Sequence, residues 1–534
     1  MIGLLIQDNA YEQDIRELLM SFYPGETYAH EVKENIDFYV QTRLKDGEAV
    51  IGIWEKLENG EESAGAAVNA AGVEAKDSAV AVEKQTDSNM SAPEGLEGWT
   101  LTAHFAGKAD LSDHSATKNV IKKLFYQMLV GRTGHELPWG SLTGIRPTKI
   151  ALSRLEDGWK EDDIRRFMKE TYMTSDEKIN LSVEIAAREK RLMEPINYDS
   201  GYSLYVGIPF CPTTCLYCSF TSYPISKWKG RTGLYLEALF KELEYTAEKM
   251  KGRPLDTIYF GGGTPTSLPA EDIDAILCKL EQLFDTKNVL EFTVEAGRPD
   301  SITEEKLKVL ASHGISRISI NPQTMNQKTL DLIGRRHTVE NVKEKFHMAR
   351  ALGFDNINMD LIAGLPGDSV EGFCKTVDKV IALQPENVTV HTLSIKRSAS
   401  YGESWEARKK ALEQAQQVGQ MVSYAQKQLM QSGWMPYYLY KQRNTLGNLE
   451  NTGYCKPGCE GRYNIYIMDE TQTILAAGAG AVTKLCSNRE GKLERIFNYK
   501  YPFEYVEQFD EVLKRKDRVV DFFEENRPLP LRKD

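Results

Sequence analysis

Cys211, Cys215 and Cys218 stand in GIPFCPTTCLYCSF, residues 207–220, so three of the chain's eight cysteines fall within eight positions. Thiolates so close together are metal ligands before anything else. Structural zinc takes four protein ligands, commonly cysteine pairs two to four residues apart. No second CxxC pair and no nearby histidine supplies an obvious fourth here. A [4Fe–4S] cluster on a C-x3-C-x2-C loop would instead leave one iron without a protein ligand, open to a reactant. Spacing alone leaves cluster, zinc and unligated thiols open. FGGGTPT, residues 260–266, is a second candidate. Three glycines let backbone N–H and C=O groups approach a ligand closely, or simply make a tight strand-to-helix turn. No Gly-Lys-Ser/Thr follows, which disfavours a phosphate loop. Cys455, Cys459 and Cys486 lack a clear fourth ligand and read as free or locally packed thiols, with a second metal as the alternative. Cys278 and Cys374 fall on helical stretches and read as ordinary buried cysteines. His391, in VTVHTL, either faces a site or belongs to the core.

The elements that must position these residues begin at residue 202. SLYVGIPF, DTIYFGG, LEFTVEAG, ISRISINPQ, INMDLIAGLP and VTVHTLSI are short β-rich runs, mostly separated by helical stretches such as GLYLEALFKELEYTAEKM. Six alternations imply parallel strands and a partial (β/α)6 TIM-like barrel, over residues 199–400. Active sites of such barrels lie at the C-terminal strand ends, and the motifs above fall there. Ahead of the barrel, residues 1–155 read as a small N-terminal α+β domain. Within it, residues 58–98 are rich in Ala, Glu, Ser and Gly and free of aromatics, a low-complexity insertion. EAVIGIWEKL and GWTLTAHFAG alternate like strands that pair across it. Residues 116–130 place Val120, Ile121, Leu124, Phe125, Met128 and Leu129 on one helical face. Residues 156–198 read as a charged helical linker. Residues 401–534 form a C-terminal α+β extension expected to cover the barrel, with LAAGAGAVTKL, residues 475–485, turning near the rim.

At 534 residues the chain exceeds what one hydrophobic core usually supports. Its 41% apolar and 27% charged residues are those of a soluble globular protein. No run of about 18 uncharged apolar residues exists, so no membrane span is expected. MIGLLIQDNAYEQD lacks a preceding basic region and a cleavage site, and reads as a first strand rather than a signal peptide. A formal charge of −11 argues against nucleic acid and anionic lipid as partners. Eight cysteines are too sparse for a disulfide scaffold, which points to a reducing, cytoplasmic setting.

Taken together, the CxxxCxxC loop after strand one, GGGTPT after strand two, VEA after strand three, NPQ after strand four and DLIAGLPG after strand five resemble the radical S-adenosylmethionine superfamily. YVGIPFCPTTCLYC, FGGGTPTSL and MDLIAGLPG are similar to the oxygen-independent coproporphyrinogen III oxidase family. WGSLTGIRPTKI and YYLYKQRNTLGNLENTGY look like its branch of coproporphyrinogen dehydrogenases of the HemZ type. The resemblance spans about residues 140–485.

This resemblance implies a [4Fe–4S] cluster on Cys211, Cys215 and Cys218, with its open iron chelating S-adenosylmethionine, whose reductive cleavage gives a 5′-deoxyadenosyl radical. It places Tyr205 and Tyr217 at the cluster and adenosine, Gly262, Gly263 and Thr264 along S-adenosylmethionine, and Val482 in contact with that cofactor. Glu295 would take the ammonium or a sugar hydroxyl, Gln323 a polar edge, Asp360 a hydroxyl or a second cofactor, and Arg335 a carboxylate. The implied reaction removes a hydrogen from the β-carbon of a propionate of coproporphyrinogen III. Loss of CO2 and an electron then leaves a vinyl group, twice per substrate. An electron donor such as flavodoxin or ferredoxin would serve as partner. Arg146, Lys396, Arg397, Lys441 and Arg443 are candidates for the substrate's carboxylates. One departure stands out: the family's oxidases extend the motif to CxxxCxxCxC, whereas Phe220 follows Ser219 here. Related heme chaperones also lack that cysteine, and heme delivery is the alternative function.

Overall fold

The computed structural model of the chain describes residues 1–23, 26–33, 35–56, 92–144, 146–198, 200–218, 220, 222–394, 415–442, 445–487 and 491–526. They form two compact units. The first comprises Met1–Pro147, Ser153–Val183 and Gly447–Leu449; the second, Thr148–Leu152, Glu184–Leu446 and Glu450–Asp534.

In the first unit β1 (Ile2–Ile6), β2 (Tyr28–Ala29), β3 (Phe38–Lys45), β4 (Glu48–Glu55) and β5 (Thr100–Lys108) make one sheet of order β2-β1-β3-β4-β5. The apolar stripe expected on residues 116–130 lies on the helix His114–Thr133. Its Ile121, Leu124, Phe125, Met128 and Leu129 form a core with Ile15, Leu18 and Leu19 of the helix Glu12–Phe22. The two strands expected to pair across the insertion do so, antiparallel, from Glu48↔Lys108 to Glu55↔Thr100. The insertion itself, through residue 91, lies outside the described residues. Leu96, near its end, is buried against Tyr39 and Trp54, a single core contact in a stretch whose other residues, 92–95 and 97–98, stay exposed or half-buried.

The second unit carries the expected strand series. β6 (Tyr202–Ile208) is followed by the short pair β7 (Phe210–Cys211) and β8 (Tyr223–Pro224). Then come β9 (Leu255–Gly262), β10 (Glu291–Gly297), β11 (Arg317–Ile320), β12 (Ile357–Ala363) and β13 (Asn387–Thr392). β6, β9, β10, β11, β12 and β13 are hydrogen-bonded in chain order and all parallel, the partial (β/α)6 barrel. Helices return the chain between most of them. Thr303, Thr338 and Ser369 start three by accepting a backbone N–H with their side chains, which satisfies an otherwise orphan donor.

Residues beyond 400 extend this sheet at both edges. β14 (Met435–Lys441) and β15 (Glu450–Cys455) add antiparallel beyond β13. β16 (Ile474–Ala477) adds parallel to β6, followed by antiparallel β17 (Val482–Ser487) and β18 (Lys492–Phe497).

Strands buried on both faces of a parallel sheet usually read as continuous apolar runs. These alternate. Leu204, Val206, Ile258, Phe260, Val294, Ile318, Ile357, Met359 and Val388 are fully buried, and between them stand Ser203, Tyr205, Thr257, Tyr259, Thr293, Glu295, Arg317, Asn358, Asp360 and Thr389. With a side-chain period of two, the apolar set faces the crossover helices and the polar set lines the inside of the barrel. Each buried Leu, Ile or Phe contributes about 1.5–3 kcal/mol. The outer face thus supplies the stability that a polar interior does not.

The turn between β16 and β17 is held from below by a buried ion pair. Glu242, on the helix Thr232–Lys249, lies 3.0 Å from Lys516, and both are almost fully buried. Glu242 also accepts hydrogen bonds from the Gly478 N–H at 2.8 Å, from Asn498 Nδ2 at 2.7 Å and from the Tyr505 hydroxyl. Gly478 has φ +106°, and a Cβ there would stand 2.3 Å from the Gly207 carbonyl oxygen, so this turn and the end of β6 meet through glycine.

Candidate active site at the strand ends

The cysteine loop is stitched to the loop after β9. Gly263 N–H donates to Ile208 O at 2.7 Å and Thr264 N–H to Phe210 O at 2.8 Å. A Cβ on Gly263 would lie 2.6 Å from Phe210 O and 2.9 Å from Cys211 Sγ; one on Gly262, at φ +117°, would lie 2.7 Å from Ile208 O. The glycine run therefore admits the cysteine-bearing strand itself. Thr264 Oγ1 is 3.4 Å from Cys211 Sγ. Further along the loop, Leu216 N–H donates to Ile333 O at 3.1 Å, Cys218 N–H to Cys215 O at 3.1 Å, and Cys218 Sγ sits 4.0 Å from Ser222 Oγ.

All three thiols are free. Burial pushes Cys211 up to about 11 and raises Cys218, so a bound cation is needed to favour the thiolates. A single tetrahedral zinc would gather its sulfurs to about 3.8 Å from one another, given Zn–S bonds of about 2.3 Å. Among the described residues, the group of three donors lying within 4.8 Å of one another is Asp274, Cys278 and His313, not the three cysteines of the loop. A donor set of three free thiols fits a cluster that leaves one iron open.

Two guanidinium groups converge on Cys215. Arg298, 3% exposed, donates through Nη1 to Cys215 Sγ at 3.6 Å, to Thr213 O at 2.8 Å and to Thr213 Oγ1 at 2.9 Å. Arg335, also buried, donates to Asn321 O at 2.6 Å and to the Tyr217 hydroxyl at 3.1 Å. Burial opposes its charge, but Tyr217 and Cys215 beside it raise its pKa further. His337, buried with neither ring nitrogen hydrogen-bonded, is pushed down to about 3 by burial and by Arg335, and stays neutral.

The inner face continues from the cysteines as an aromatic and acidic wall. Tyr205 and Tyr259 stack at 6.1 Å between ring centroids, and Tyr463 stacks on Tyr259 at 4.4 Å. The Tyr259 hydroxyl donates to Glu295 Oε1. Burial, aided by Asp360, raises Glu295 to about 7 against the bonds from Tyr259 and the Gly262 N–H. Asp360 behaves oppositely. Burial pushes it up, but His391, Asn358 and Arg317 hold it below the usual carboxylate range. His391 Nε2 is 3.8 Å from Asp360 Oδ2, and Asn358 Nδ2 donates to Oδ1 at 2.7 Å. His391 thus faces this wall. Gln323 has φ +64°, rare outside glycine, and is pinned there by bonds from its N–H to Asp360 O and to its carbonyl from Ile362 N–H. Its Oε1 is buried without a partner. Such a strained residue costs about 1–3 kcal/mol and marks a functional position.

The structure thus brings Tyr205, Tyr217, Gly262, Gly263, Thr264, Glu295, Gln323, Arg335 and Asp360 to one end of one sheet with the cysteines. Val482 opens β17, just after the Gly478 turn, half-buried. Of the substrate-carboxylate candidates, Lys441 ends β14 and is buried, Arg146 lies in the first unit, and Lys396, Arg397 and Arg443 fall outside the described residues. Cys278 is exposed and Cys374 half-buried, not core residues as their helical position suggested: each sits on the outer face of its helix. Cys455 and Cys486 are buried and Cys459 half-buried. Tyr259, Tyr463, Arg298 and Arg317 escaped the sequence reading. Strand alternation marks Tyr259, two before Gly261, and Arg298 directly follows VEAG; for Tyr463 the sequence holds no local signal.

The chain also has recognisable relatives among known proteins. The model of the radical SAM superfamily matches residues 205–380. The oxygen-independent coproporphyrinogen-III oxidase-like protein HemZ of Bacillus subtilis (strain 168) is 42% identical over 448 residues, 82% of this chain and 89% of that protein. The heme chaperone HemW of the same organism is 31% identical over 280 residues, 52% of this chain and 70% of the chaperone. Among solved structures, coproporphyrinogen III oxidase (HemN) from Escherichia coli aligns over 60% of this chain and 71% of its own, at 23% identity and TM-score 0.47. No helix among the described residues is long and apolar enough to cross a membrane. The chain belongs to the radical S-adenosylmethionine superfamily, whose members use a [4Fe–4S] cluster and S-adenosylmethionine, and within it to the family of HemZ, the oxygen-independent coproporphyrinogen-III oxidase-like proteins.

Proposed function

We propose that this protein converts coproporphyrinogen III to protoporphyrinogen IX without oxygen, by oxidative decarboxylation of two propionates, as a coproporphyrinogen dehydrogenase of the cytoplasm. The observation that carries this reading is the extent of the likeness to the HemZ oxidase-like protein, which runs well beyond the barrel, at 42% identity over 448 residues. When bound to Cys211, Cys215 and Cys218, the cluster together with S-adenosylmethionine supplies a carbon-centred radical able to take a hydrogen from an unactivated carbon.

The chain's own residues do the rest. Glu295 accepts hydrogen bonds from an ammonium or sugar hydroxyl at the end of β10, Gln323 offers its free Oε1 to a polar edge, and Asp360 accepts a hydroxyl. Arg335 ties Tyr217, within the cysteine loop, to Asn321, and its guanidinium suits a carboxylate. The tyrosine wall keeps water from the reacting carbon. The substrate's remaining carboxylates go to basic residues, with Arg146, Lys396, Arg397, Lys441 and Arg443 as candidates, and the reducing electron comes from a protein of the flavodoxin or ferredoxin kind.

A second reading, a heme chaperone that passes heme to partner proteins, draws support from Phe220 in the place of a fourth cysteine and from the 31% likeness to HemW. One experiment separates them. Anaerobically reconstituted protein is incubated with reductant, S-adenosylmethionine and coproporphyrinogen III, and the porphyrins are chromatographed. Vinyl product is expected; stoichiometric heme binding with no vinyl product would replace the oxidase with the chaperone.

A further inference from the structure

The loop cysteines need more than ligand geometry, because a cluster must accept an electron at an accessible potential. Hydrogen bonds to its sulfurs, net charge and burial set that potential. Arg298 is placed to act through the first of these, from a buried position. Asp300 takes its Nε at 2.9 Å and its Nη2 at 2.6 Å, a bidentate grip that fixes the plane of the guanidinium. Nη1 is then turned to the loop, where it meets Thr213 O, Thr213 Oγ1 and Cys215 Sγ together. The side chain is 3% exposed and its ion pair with Asp300 is 2.6 Å long, so the pair is close to neutral as a whole and what the loop meets is a fixed Nη1 N–H shielded from water.

We propose that Arg298 is a positioning residue for the iron–sulfur cluster: locked by Asp300, it braces the loop at Thr213 and gives an N–H to the Cys215 sulfur, raising the potential at which the cluster is reduced. A fixed N–H directed at a cluster sulfur stabilises the reduced form, in which the sulfurs carry more negative charge, more than the oxidised one. Lysine cannot reproduce this. Its ammonium keeps the charge but has no planar fork to hold Asp300 with one edge and the loop with the other. The inference rests on the cluster, not on the substrate, and holds whether the protein oxidises coproporphyrinogen or carries heme.

The test compares wild-type protein, Arg298→Lys, and Arg298→Met combined with Asp300→Asn, which removes the guanidinium without stranding a buried carboxylate. Each is reconstituted anaerobically, its iron and sulfide are counted, and the cluster is titrated by potentiometry with electron paramagnetic resonance detection, without S-adenosylmethionine or substrate. Equal iron content, a more negative midpoint in the double variant and an intermediate midpoint in Arg298→Lys are expected. Wild-type midpoints in both variants would overturn the proposal. If the double variant fails to retain iron, Arg298→Lys decides: a midpoint below wild type supports the assignment, and a wild-type midpoint reduces Arg298 to a brace of the loop.

Discussion

Lys516→Met is the sharpest perturbation of the scaffold beneath the site. The Lys516 ammonium lies 3.0 Å from a Glu242 carboxylate that is itself wholly buried, and donates to Ala476 O at 2.6 Å. Methionine fills similar space but leaves Glu242 as a buried anion with hydrogen bonds from Gly478, Asn498 and Tyr505 and no counter-charge. Breaking a buried pair from one side costs about 3–5 kcal/mol, most of it the stranded charge. The chain has two compact units, so a single global unfolding energy is poorly defined, and a local probe is the better assay. Amide exchange at Gly478, whose N–H bonds to Glu242, reports the opening directly. At about 1.36 kcal/mol per tenfold, exchange there should accelerate by about two to four orders of magnitude. Adding Glu242→Gln removes the orphan charge and should restore most of the protection. Wild-type exchange in Lys516→Met, or a double variant less protected than the single one, would refute the account of this network.

Three further outcomes follow from the site. Gly263→Ala forces a methyl to 2.6 Å from Phe210 O and 2.9 Å from Cys211 Sγ, so it should lose cluster iron while far-UV circular dichroism is unchanged, at a cost of about 1–3 kcal/mol; full iron loading would contradict the packing role of the glycines. Glu295→Gln should abolish S-adenosylmethionine binding in calorimetry yet not lower stability. A carboxyl raised to about 7 in the fold binds more protons folded than unfolded between its unfolded value near 4.5 and pH 7, so native stability falls as pH rises through that window, and the variant should lose that slope; an unchanged slope would sink the argument. His391→Ala removes a group that holds Asp360 low. A depressed carboxylate stabilises the fold above its unfolded pKa and loses that contribution as pH falls through its folded value, so the variant should begin acid unfolding at a higher pH than wild type, followed by circular dichroism.

Much of this site is written in short runs. The cysteines, GGG, VEA, NPQ and DLIAGLP each stand at the end of a strand whose length and β-branched content announce it, so their convergence follows once six strands are parallel. What is not local is not legible. Glu242 and Lys516 are 274 positions apart, and nothing in either segment marks a buried pair. Tyr463 reaches Tyr259 from a helix after the sixth barrel strand. The placement of residues beyond 400 at both edges of the sheet depends on pairing choices that periodicity does not encode. Gln323 is the instructive case: its motif was visible, but its left-handed backbone and unpaired Oε1 are facts only of the fold.

The most direct test of the account follows an atom. Coproporphyrinogen III deuterated at its propionate β-carbons is given to the anaerobically reconstituted protein with reductant and S-adenosylmethionine, and the 5′-deoxyadenosine is analysed by mass spectrometry. The account predicts deuterium in 5′-deoxyadenosine in step with vinyl product. Unlabelled 5′-deoxyadenosine with coproporphyrinogen III recovered intact would contradict it.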